Sequence, residues 1–556
     1  MKGIFTITII MVAMLAHAAG TFSLIEINPL HGNSPLTLTS DSAKTYYGAG
    51  VLTGFTTMNG LLYFSAQGSP GDDELWVTDG TQSGTHVVKE INANHGAGIG
   101  NLVLVNGRLL FMASDNGTSW DLWSSDGTDT GTIKVEVLNQ PTNSALGYDN
   151  FSWIGDKVLF CTTQKLLITD GTAGGTDSIL SIAAYSQGFG YCELSGQSYF
   201  ILPANSGDYE IWKTDGTDTG TVVALNLTTT HYNIDDADEV VAFNGKIYLT
   251  AEESGASADD LFVFDGNING QLTKINIAQT GNANPHGFNL YNNSLYFIAS
   301  NGTTQNVYRI SNTDSVPTPL LTNVGNTTLT NLTIANNTAY CIDSANNRIY
   351  GIELSGFTVS QLNLTGYRLP YYPYSNKPFM IWANQQMFFV AYDSASGNQL
   401  FMQSDFTNAG TQPIMPAGAN TAHPFNCVLN NGILDVFDLT MWGNQILVPA
   451  NFNDAGRELW LFTPSGVNGV KEVNDEGQFT LFPNPANNSV TVKTTLYNNS
   501  MQEIRVTDIT GQVILKQPVM AETTTLQLAQ LAAGNYFVTV YQDGNITGTR
   551  KLVLIK

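Results

Sequence analysis

The sequence ELWVTDGT at residues 74–81 decides the fold, because close copies of it recur along the chain. DLWSSDGT follows at residues 121–128 and EIWKTDGT at residues 210–217, and each copy is followed three residues later by a Gly-Thr pair. More divergent copies keep an aromatic or large apolar anchor at the tryptophan position, and successive anchors lie 42 to 59 residues apart. The nine anchors are Trp76, Trp123, Leu167, Trp212, Phe262, Tyr308, Tyr350, Phe401 and Trp460. A repeat of this period is typical of arrays in which each unit is one small supersecondary element.

An Asn-Gly step precedes the motif in several units, at residues 59–60, 106–107 and 244–245. It stands between two apolar runs, and asparagine and glycine tolerate the positive φ that both central residues of a tight hairpin turn require. Each unit therefore divides into four short strands. Four strands in about 40 to 50 residues is the size of a propeller blade. The sequence predicts an all-β chain in which about eight or nine four-stranded blades form a β-propeller over residues 21–475.

The recurrent residues have structural roles in such a ring. The tryptophan supplies a large apolar surface for packing between blades. Asp-Gly-Thr forms the turn into the outermost strand, where glycine takes positive φ and the aspartate accepts hydrogen bonds from amides of its own turn. We assign these roles to Trp76, Asp79, Trp123, Asp126, Trp212, Asp215 and Trp460.

Calcium binding is the alternative role for the turn aspartates. These are Asp79, Asp126, Asp170, Asp215 and Asp265. Ca²⁺ takes about six to eight converging oxygens, and one aspartate in each well-separated turn does not supply them. The pattern favours the turn, so we expect no dedicated metal site and no cofactor, with weak binding of Ca²⁺ left open.

At these residues the chain resembles the ELWxxDGT repeat proteins, which are secreted and surface proteins mainly of Bacteroidetes and other bacteria. The resemblance covers most of residues 50–475, is sharp in units one, two and four, and fades in units five to eight. It implies a propeller-like array and no established activity.

The last part of the chain changes character. PNPA at residues 483–486 is followed by a D-x-x-G turn at 508–511, LAAGNYFV at 531–538 and a basic terminus. Short alternating strands at this spacing predict a small β-sandwich over residues 476–556, with an ordinary Ig-like module as the alternative interpretation. The segment resembles a type IX secretion system sorting domain of type A. The residues that carry this resemblance include Pro483, Asn484, Pro485, Gly511 and Gly534.

The sorting resemblance implies the type IX secretion machinery as a partner, a Bacteroidetes source, and a secreted or outer-membrane cell-surface location. The beginning of the chain points the same way, since Lys2 precedes an apolar run over residues 4–15 and a small-residue segment ending at Gly20. This pattern predicts a signal peptide over residues 1–20. A membrane anchor, the alternative, needs about 18 or more apolar residues, so we expect no transmembrane span in the mature chain.

The charge balance excludes one class of partner. The chain has 46 acidic and 22 basic residues and a net charge of −24, so its surface repels phosphate backbones, and we expect no nucleic-acid binding. The four cysteines, Cys161, Cys192, Cys341 and Cys427, show no metal-ligand spacing. They are interpreted as buried thiols, with a Cys161–Cys192 bridge between neighbouring units as the alternative.

The sequence contains none of the short motifs of nucleophilic, metal-dependent or nucleotide-binding catalysis. The histidines His31, His95, His286 and His423 each stand just before a predicted innermost strand and are interpreted as loop residues. In a four-stranded blade, the loop between the second and third strands and the connection to the next blade emerge together. We name this side of the ring the loop face, and the side with the Asn-Gly and Asp-Gly-Thr turns the turn face.

The loop face is the predicted binding surface, because function on rigid scaffolds concentrates in variable loops. The candidate ligand-binding residues are Asp72, Asp73, Asp115, Asp208, Glu252, Glu253 and Asp454. The leading hypothesis is a non-enzymatic binding or adhesion scaffold for an extracellular glycan or protein. A propeller hydrolase or lyase acting on polysaccharide and a structural component of a surface matrix are the alternatives.

Overall fold

The Asn-Gly steps close antiparallel hairpins in the computed structural model of the chain. Asn59 and Gly60 have φ values of 53° and 81°, and Met58 pairs with Leu61 across the two-residue turn. Asn106 turns in the same way, with a φ of 48°. The chain reverses at these steps because two residues with positive φ match the twist of the flanking strands.

The structure describes residues 20–27, 55–69, 72–93, 96–141, 151–162, 164–182, 190–203, 209–226, 232–233, 239–253, 259–268, 270–278, 283–314, 316–321, 328–369, 380–419, 425, 439–450, 452, 458–465, 479–482, 486–494, 502–507, 513–519, 523–531, 534–542 and 545–554. Residues 1–19 of the predicted signal peptide (residues 1–20) and the predicted domain boundary between residues 475 and 476 lie outside these ranges, whereas Gly20, the last residue of that predicted peptide, begins the first strand.

Within the described residues, nine antiparallel sheets of the same strand order make up the repeat array. The first strand, β1 (Gly20–Ile25), belongs to the last of them. Blade 1 contains β2 (Phe55–Met58), β3 (Leu61–Ser69), β4 (Asp72–Thr78) and β5 (His86–Lys89). Blade 2 contains β6 (Gly100–Val105), β7 (Arg108–Ala113), β8 (Ser119–Ser125) and β9 (Ile133–Pro141). Blade 3 contains β10 (Ser152–Ile154), β11 (Lys157–Cys161), β12 (Lys165–Thr169), a 3₁₀ turn (Ala173–Gly175) and β13 (Asp177–Ser181).

The middle three blades repeat the pattern. Blade 4 contains β14 (Tyr191–Leu194), β15 (Gln197–Pro203), β16 (Tyr209–Thr214) and β17 (Val222–Asn226). Blade 5 contains the short β18 (Tyr232–Asn233) and then β19 (Val240–Phe243), β20 (Lys246–Glu253), β21 (Asp260–Phe264) and β22 (Leu272–Ile275). Blade 6 contains β23 (His286–Tyr291), β24 (Ser294–Ser300), β25 (Gln305–Ser311) and β26 (Thr318–Pro319).

The last three blades complete the array. Blade 7 contains β27 (Leu329–Ala335), β28 (Thr338–Asp343), β29 (Arg348–Glu353) and β30 (Val359–Asn363). Blade 8 contains the short β31 (Tyr367–Arg368) and then β32 (Met380–Ala383), β33 (Gln386–Asp393), β34 (Gln399–Ser404) and β35 (Gln412–Pro413). Blade 9 contains β36 (Thr440–Trp442), β37 (Gln445–Ala450), β38 (Glu458–Pro464) and β1.

The blades are arranged as a closed ring. The first strands of neighbouring blades contact one another, as in β2 with β6 and β23 with β27, so these strands are innermost. Each blade shares an apolar core with the next, from blades 1 and 2 through blades 7, 8 and 9. Blade 9 then shares a core with blade 1, where Leu447 and Leu459 pack with Leu62 and Phe64.

The N-terminal strand seals the ring. β1 pairs antiparallel with β38 along its whole length, with Leu24 opposite Trp460, and becomes the outermost strand of blade 9. The last blade is therefore built from both ends of the propeller. These observations confirm the predicted all-β propeller of eight or nine four-stranded blades, and they give nine sheets for the described part of the chain.

The chain divides into two compact units, Met1–Gly466 and Val467–Lys556. The second unit contains β39 (Phe479–Phe482), β40 (Ser489–Thr494), β41 (Gln502–Thr507), β42 (Val513–Pro518), β43 (Thr523–Gln527), β44 (Gly534–Gln542) and β45 (Asn545–Leu554). They form two sheets, in the orders β39-β40-β43 and β42-β41-β44-β45, around one buried core that includes Val492 and Val538. This is the small β-sandwich that the sequence predicts. No helix in the described parts of either unit is long and apolar enough to cross a bilayer.

Candidate functional site

The Asp-Gly-Thr turn is held together by the side chains of the motif itself. Asp79 Oδ1 accepts hydrogen bonds from the Thr81 backbone N–H at 2.9 Å and from the Thr81 hydroxyl at 2.7 Å. The hydroxyls of Thr78 and Thr85, at the two ends of the turn, lie 2.6 Å apart. The same pair of aspartate bonds recurs at Asp126, Asp170, Asp215 and Asp405.

These bonds favour the ionised aspartate. The hydrogen bonds from Thr81 hold the pKa of Asp79 below its usual range. Hydrogen bonds from the equivalent threonines likewise lower the pKa of Asp126, Asp170 and Asp215. In blade 5, Asp265 accepts instead from the backbone and side-chain N–H groups of Asn267. Each carboxylate is engaged in its own turn, through one oxygen in the threonine-bonded turns and through both oxygens in Asp265. Each turn belongs to a different blade, so these carboxylates do not converge on one point.

The second glycine of the motif leaves room for the aspartate. A Cβ atom at Gly84 would lie 2.1 Å from Asp79 Oδ1, closer than any non-bonded contact allows. Blade 8 departs from the motif in its first glycine, since Phe406 occupies that position with a φ of 66°. Its ring packs edge-on against Tyr340 at 5.3 Å, which fills space between blades 7 and 8. Sequence reasoning did not recognise the Asp405 turn, because the glycine that marks the motif is replaced.

The motif tryptophans lie in third strands and pack between blades. Trp76 belongs to the core shared by blades 9 and 1, and Trp123 to the core shared by blades 1 and 2. Trp460 is buried against Phe452, with the ring centroids 5.3 Å apart. Trp212 is half-buried beside the core of blades 3 and 4.

In six of the nine blades, the residue two positions before the anchor ties the blade to the chain segment that follows its outermost strand. In blade 1, Glu74 accepts hydrogen bonds from the backbone N–H groups of Ile91 at 3.0 Å and Asn92 at 3.1 Å. In blade 9, Glu458 accepts from the backbone N–H of Ile27, just beyond β1, at 2.8 Å. We name these side chains the latch residues.

Equivalent latch residues make the same kind of bond in other blades. They are Asp121 with Leu138 N, Asp260 with Ala283 N, Asn306 with Leu321 N and Gln399 with Phe425 N. Sequence reasoning gave the first residue of the motif no role. The available signal was its chemistry, because this position carries Glu, Asp, Asn or Gln in seven of the nine units and Lys165 and Arg348 in the other two.

Asp72 and Asp73 of the predicted binding surface lie together at the loop face of blade 1. Carboxylate oxygens of Asp72, Glu74 and Glu90 all lie within 4.8 Å of one another. Asp73 accepts a hydrogen bond from the Gly98 N–H, and its carbonyl accepts from Ala97 N at 2.8 Å, so it also fixes the connection to blade 2. Of the predicted residues, the structure therefore brings only Asp72 into the acidic cluster with Glu74 and Glu90.

Two carboxyl groups of this cluster, those of Glu74 and Glu90, have raised pKa values. Burial raises the pKa of Glu74 to about 7, against the lowering effect of the Ile91 and Asn92 hydrogen bonds and together with the charges of Glu90 and Asp72. Burial also raises the pKa of Glu90, and that of Asp73 outside the cluster, above their usual ranges. The three clustered oxygens could hold a cation, but they lie on the third strand and just after the fourth, in the outer half of the blade and away from the central channel.

The other predicted residues do not join this cluster. Asp115 lies in the loop between β7 and β8 and forms an ion pair of 2.9 Å with Lys134, which also binds Asp121 at 2.7 Å. Glu252 and Glu253 end β20 at the loop face of blade 5, and the side chain of Glu252 is half-buried. Asp208 and Asp454 lie outside the described residues.

The remaining candidate groups have structural partners where they are described. Both ring nitrogens of His286 lie within hydrogen-bond distance of backbone oxygens, of Asn284 at 2.9 Å and of Leu329 at 3.3 Å. Burial lowers the pKa of this histidine. The other three candidate histidines fall outside the described ranges.

The described cysteines are free, buried thiols. They are Cys161, Cys192 and Cys341, and burial raises the pKa of each. The alternative of a Cys161–Cys192 bridge is therefore wrong for this structure: each thiol packs inside an apolar core, Cys161 with blades 3 and 4 and Cys192 with blades 4 and 5. Cys427 lies outside the described residues.

The sorting-signal residues are described only at one point. Gly534 begins β44, whereas Pro483, Asn484, Pro485 and Gly511 lie outside the described ranges. Ala486, directly after the PNP segment, is buried and bridges to Leu554 at the end of the last strand.

Comparison with known families identifies the C-terminal unit. Residues 480–556 match the secretion system C-terminal sorting domain. This domain is that of the type IX secretion system, and it marks the chain as a secreted or cell-surface protein handled by the type IX machinery. No curated protein matches the chain.

Solved structures with similar chains include three of stated function or origin. A prolyl endopeptidase is 14% identical, with 64% of this chain and 55% of that chain covered and a TM-score of 0.36, so the present chain spans about half of it. The extracellular domain of a hybrid two-component system from B. thetaiotaomicron is 11% identical (94% and 76% covered, TM-score 0.31). PorZ, a surface component of the type IX secretion system of Porphyromonas gingivalis, is also 11% identical (94% and 100% covered, TM-score 0.19). At such TM-scores these likenesses carry no conclusion about the present chain.

Proposed function

We propose that the chain is a non-enzymatic binding scaffold of a Bacteroidetes cell surface, which recognises an extracellular glycan or protein through its loop face. The observation that carries the proposal is the difference between the two faces of the ring. The turn face repeats one hydrogen-bonding pattern from blade to blade, whereas the loop face differs from blade to blade.

The turn face is occupied by its own structure. Motif aspartates, threonines and glycines there bond to one another, and the repeated Asp79 pattern recurs in four further blades. Side chains engaged in this way have little capacity left for a ligand, so we place the binding surface on the other side.

The loop face supplies variety on a rigid support. Loops between second and third strands include an Asn116 turn in blade 2 and an Asp393 turn in blade 8, where the side-chain oxygen accepts two backbone N–H groups. The same face carries the acidic cluster of blade 1. Loops of differing sequence held by latch residues are suited to recognising a ligand without large rearrangement.

The location agrees with a role outside the cell. The sorting domain at residues 480–556 delivers cargo to the surface or the medium, where glycans and proteins are the available ligands. The net charge of −24 favours neutral or cationic partners over phosphate-rich ones.

A glycan and extracellular-protein array probed with the purified chain tests this proposal. We expect the double variant Asp72→Lys/Glu252→Lys to lose binding by about tenfold or more to any ligand so identified, because charge complementarity at the surface is reversed. Asp73 stays unchanged, since its carboxylate holds the Gly98 amide. The matched control is Asp156→Lys/Asp218→Lys, which makes the same charge change at exposed turn-face positions. Equal loss in both variants, or no loss in the first, would contradict a loop-face site.

A hydrolase or lyase acting on polysaccharide is the second candidate, and the acidic cluster is the observation that favours it. Carboxylates about 5 to 10 Å apart are the catalytic groups of glycoside hydrolases, and Glu74 has a raised pKa suited to a general acid. Against this, both Glu74 oxygens accept backbone N–H groups, as the latch residues of other blades do. We expect no reducing ends to be released from a polysaccharide panel; release that Glu74→Gln abolishes would establish the enzyme instead.

A structural matrix component is the third alternative from the sequence. Open-ended self-assembly of the purified chain without ligand would favour it over the binding scaffold.

A further inference from the structure

The turns of blades 5, 6 and 7 depart from the motif at the turn face. In blades 1 to 4 and 8, the two residues at the tip of each motif turn, between the threonine and the second glycine, are small or polar. They are Gln82-Ser83, Asp129-Thr130, Ala173-Gly174, Asp218-Thr219 and Asn408-Ala409. The corresponding turns of blades 5 to 7 present Ile268, Val316 and Phe357, which are 52%, 61% and 38% exposed. We name these three residues the apolar sector.

The three turns belong to consecutive blades and are linked by contacts between them. The side chain of Asn244, at the hairpin tip of blade 5, donates a hydrogen bond to the carbonyl oxygen of Asn312 in the turn of blade 6, at 2.9 Å. The guanidinium group of Arg309 in blade 6 lies 5.4 Å from the ring centroid of Phe357 in blade 7. The apolar sector is therefore one region of the turn face, and neighbouring exposed apolar side chains mark an interaction site.

Phe357 is held in a strained backbone conformation. Its φ is 53°, in the left-handed region that bulky side chains rarely adopt. The carboxylate of Glu353 accepts two backbone N–H groups of the same turn, at 2.9 and 2.7 Å, which fixes this conformation. Phe406 of blade 8 has a similar φ of 66°, but its ring packs against Tyr340 of blade 7. At Phe357 the strain holds an aromatic ring partly in solvent, and strain of this kind is typical of binding sites.

Fixed negative charges accompany the apolar sector. One carboxyl group at each of the three turns has a lowered pKa, because hydrogen bonds from its own turn favour the ionised form. These groups are Asp265, Asp314 and Glu353. Arg309 and Lys246 offset part of this charge, and the net charge of the whole chain is −24. A second copy of the chain or an anionic lipid surface would bring like charges together, so a partner with basic groups is complementary.

We propose that the apolar sector is a docking surface for a second protein whose contact surface combines apolar and basic side chains. Ile268, Val316 and Phe357 supply the apolar contacts, and the turn carboxylates face the cationic groups of the partner. Departures from a local rule concentrate at functional sites, and here the loss of the motif coincides with exposed apolar side chains. The surface lies on the turn face, opposite the proposed ligand-binding loops, so the inference does not depend on the proposed function.

Synthetic peptides added to the purified full chain test the chemistry of this surface. A fluorescent peptide of alternating leucine and lysine has both properties of the partner, whereas a leucine–glutamate peptide and a serine–lysine peptide each lack one. We expect the leucine–lysine peptide to bind saturably in fluorescence anisotropy, and the other two to bind about tenfold or more weakly. No saturable binding of the leucine–lysine peptide, or equally tight binding of either other peptide, would overturn the proposal.

A triple variant tests the residues. We expect Ile268→Asn/Val316→Asn/Phe357→Asn to bind the leucine–lysine peptide about tenfold or more weakly than the parent, because it removes apolar contact area and keeps every charge. Asparagine tolerates positive φ, so the change at position 357 adds no backbone strain.

The matched control is Leu104→Asn/Ile133→Asn/Val137→Asn, at positions 37%, 49% and 59% exposed in blade 2. This control removes a similar exposed apolar area and should bind the peptide as the parent does. Undiminished binding by the variant of the apolar sector, or an equal loss in the control, would refute the assignment.

A photoreactive peptide locates the contact without any substitution in the chain. With benzoylphenylalanine in place of one leucine, the leucine–lysine peptide should attach on irradiation to blades 5, 6 and 7, as mass spectrometry after proteolysis would show. Attachment chiefly to other blades would exclude this docking surface.

Discussion

Replacing Glu74 with glutamine should change how the stability of the propeller depends on pH. Glu74 is 1% exposed, and its pKa is raised from 4.5 to about 7 chiefly by burial. Because the folded-state pKa lies above that of the unfolded chain, this carboxyl group contributes its full stability below about pH 4.5 and loses it as the pH rises through about 7. The rise corresponds to about 3 kcal/mol, to order of magnitude, in the free energy of unfolding.

Glu74→Gln removes this ionisation and one hydrogen-bond acceptor. The amide oxygen can accept from Ile91 or Asn92, while the amide nitrogen faces the other N–H, which costs about 1 to 3 kcal/mol. We expect the variant to be less stable than the parent at pH 5 by about this amount. At pH 8 the difference in the free energy of unfolding should disappear or change sign. The parent must then either ionise Glu74 in its buried site or keep it protonated above its pKa, and both cost free energy, whereas glutamine does not ionise.

Urea unfolding followed by tryptophan fluorescence at pH 5 and pH 8 measures both differences. Gln399→Glu is the reciprocal variant, since Gln399 is the fully buried latch residue of blade 8 and accepts from Phe425 N at 3.1 Å. This variant should acquire a pH dependence of the same sign as that of Glu74 in the parent. The reasoning is refuted if Glu74→Gln and the parent show the same pH dependence.

Three further predictions concern the turn, the ring closure and the sorting unit. Gly175→Ala should lower the free energy of unfolding by about 1 to 3 kcal/mol, because the new Cβ would lie 2.1 Å from the Asp170 carboxylate. Gly174→Ala is the control and should change the free energy of unfolding by less than about 0.5 kcal/mol, because no atom lies within 4 Å of that Cβ position. Equal effects of the two variants on thermal unfolding would contradict the steric explanation. Phe22→Ala removes a ring that contacts four aromatic side chains of blades 8 and 9. We expect the free energy of unfolding to fall by about 2 to 4 kcal/mol and hydrogen exchange in β1 to become faster. Unchanged exchange would argue against a role of Phe22 in closing the ring. Leu552→Asp places a carboxyl group in the buried core of the sorting unit, so the chain should be retained inside the source bacterium, as cell fractionation would show; normal export would separate sorting from the folded sandwich.

Local signals in the sequence are sufficient to predict the strands and turns of a single blade. Asn59-Gly60 predicts a hairpin because its backbone requirement is local, and Trp76 predicts a buried third-strand position because large aromatic side chains rarely stay in water. The repeat then supplied the ring, since a single four-stranded sheet cannot bury both of its faces.

Features that depend on distant partners were not predictable in the same way. The sequence predicts Asp115 as a ligand-binding residue and gives no sign of its ion pair with Lys134, nineteen positions further on. The sequence predicts Asp73 for the same surface and does not show that its backbone carbonyl accepts from Ala97 N in the connection between blades. The role of β1 had no signal at all, because GTFSLI at residues 20–25 carries none of the motif and its partner is β38.

The closing strand has a consequence for how the chain is made. The Ile27–Glu458 hydrogen bond joins residues 431 positions apart. β1 is synthesised early but cannot pair until its partner strand, β38, has been made. Contacts of such long range form late, because the entropy of closing the loop must be overcome first. Until ribosome and export channel have released residues 458–464, the eight earlier blades form an open arc with two bare ends. Blade 9 can therefore form only after the whole repeat region has been synthesised and exported.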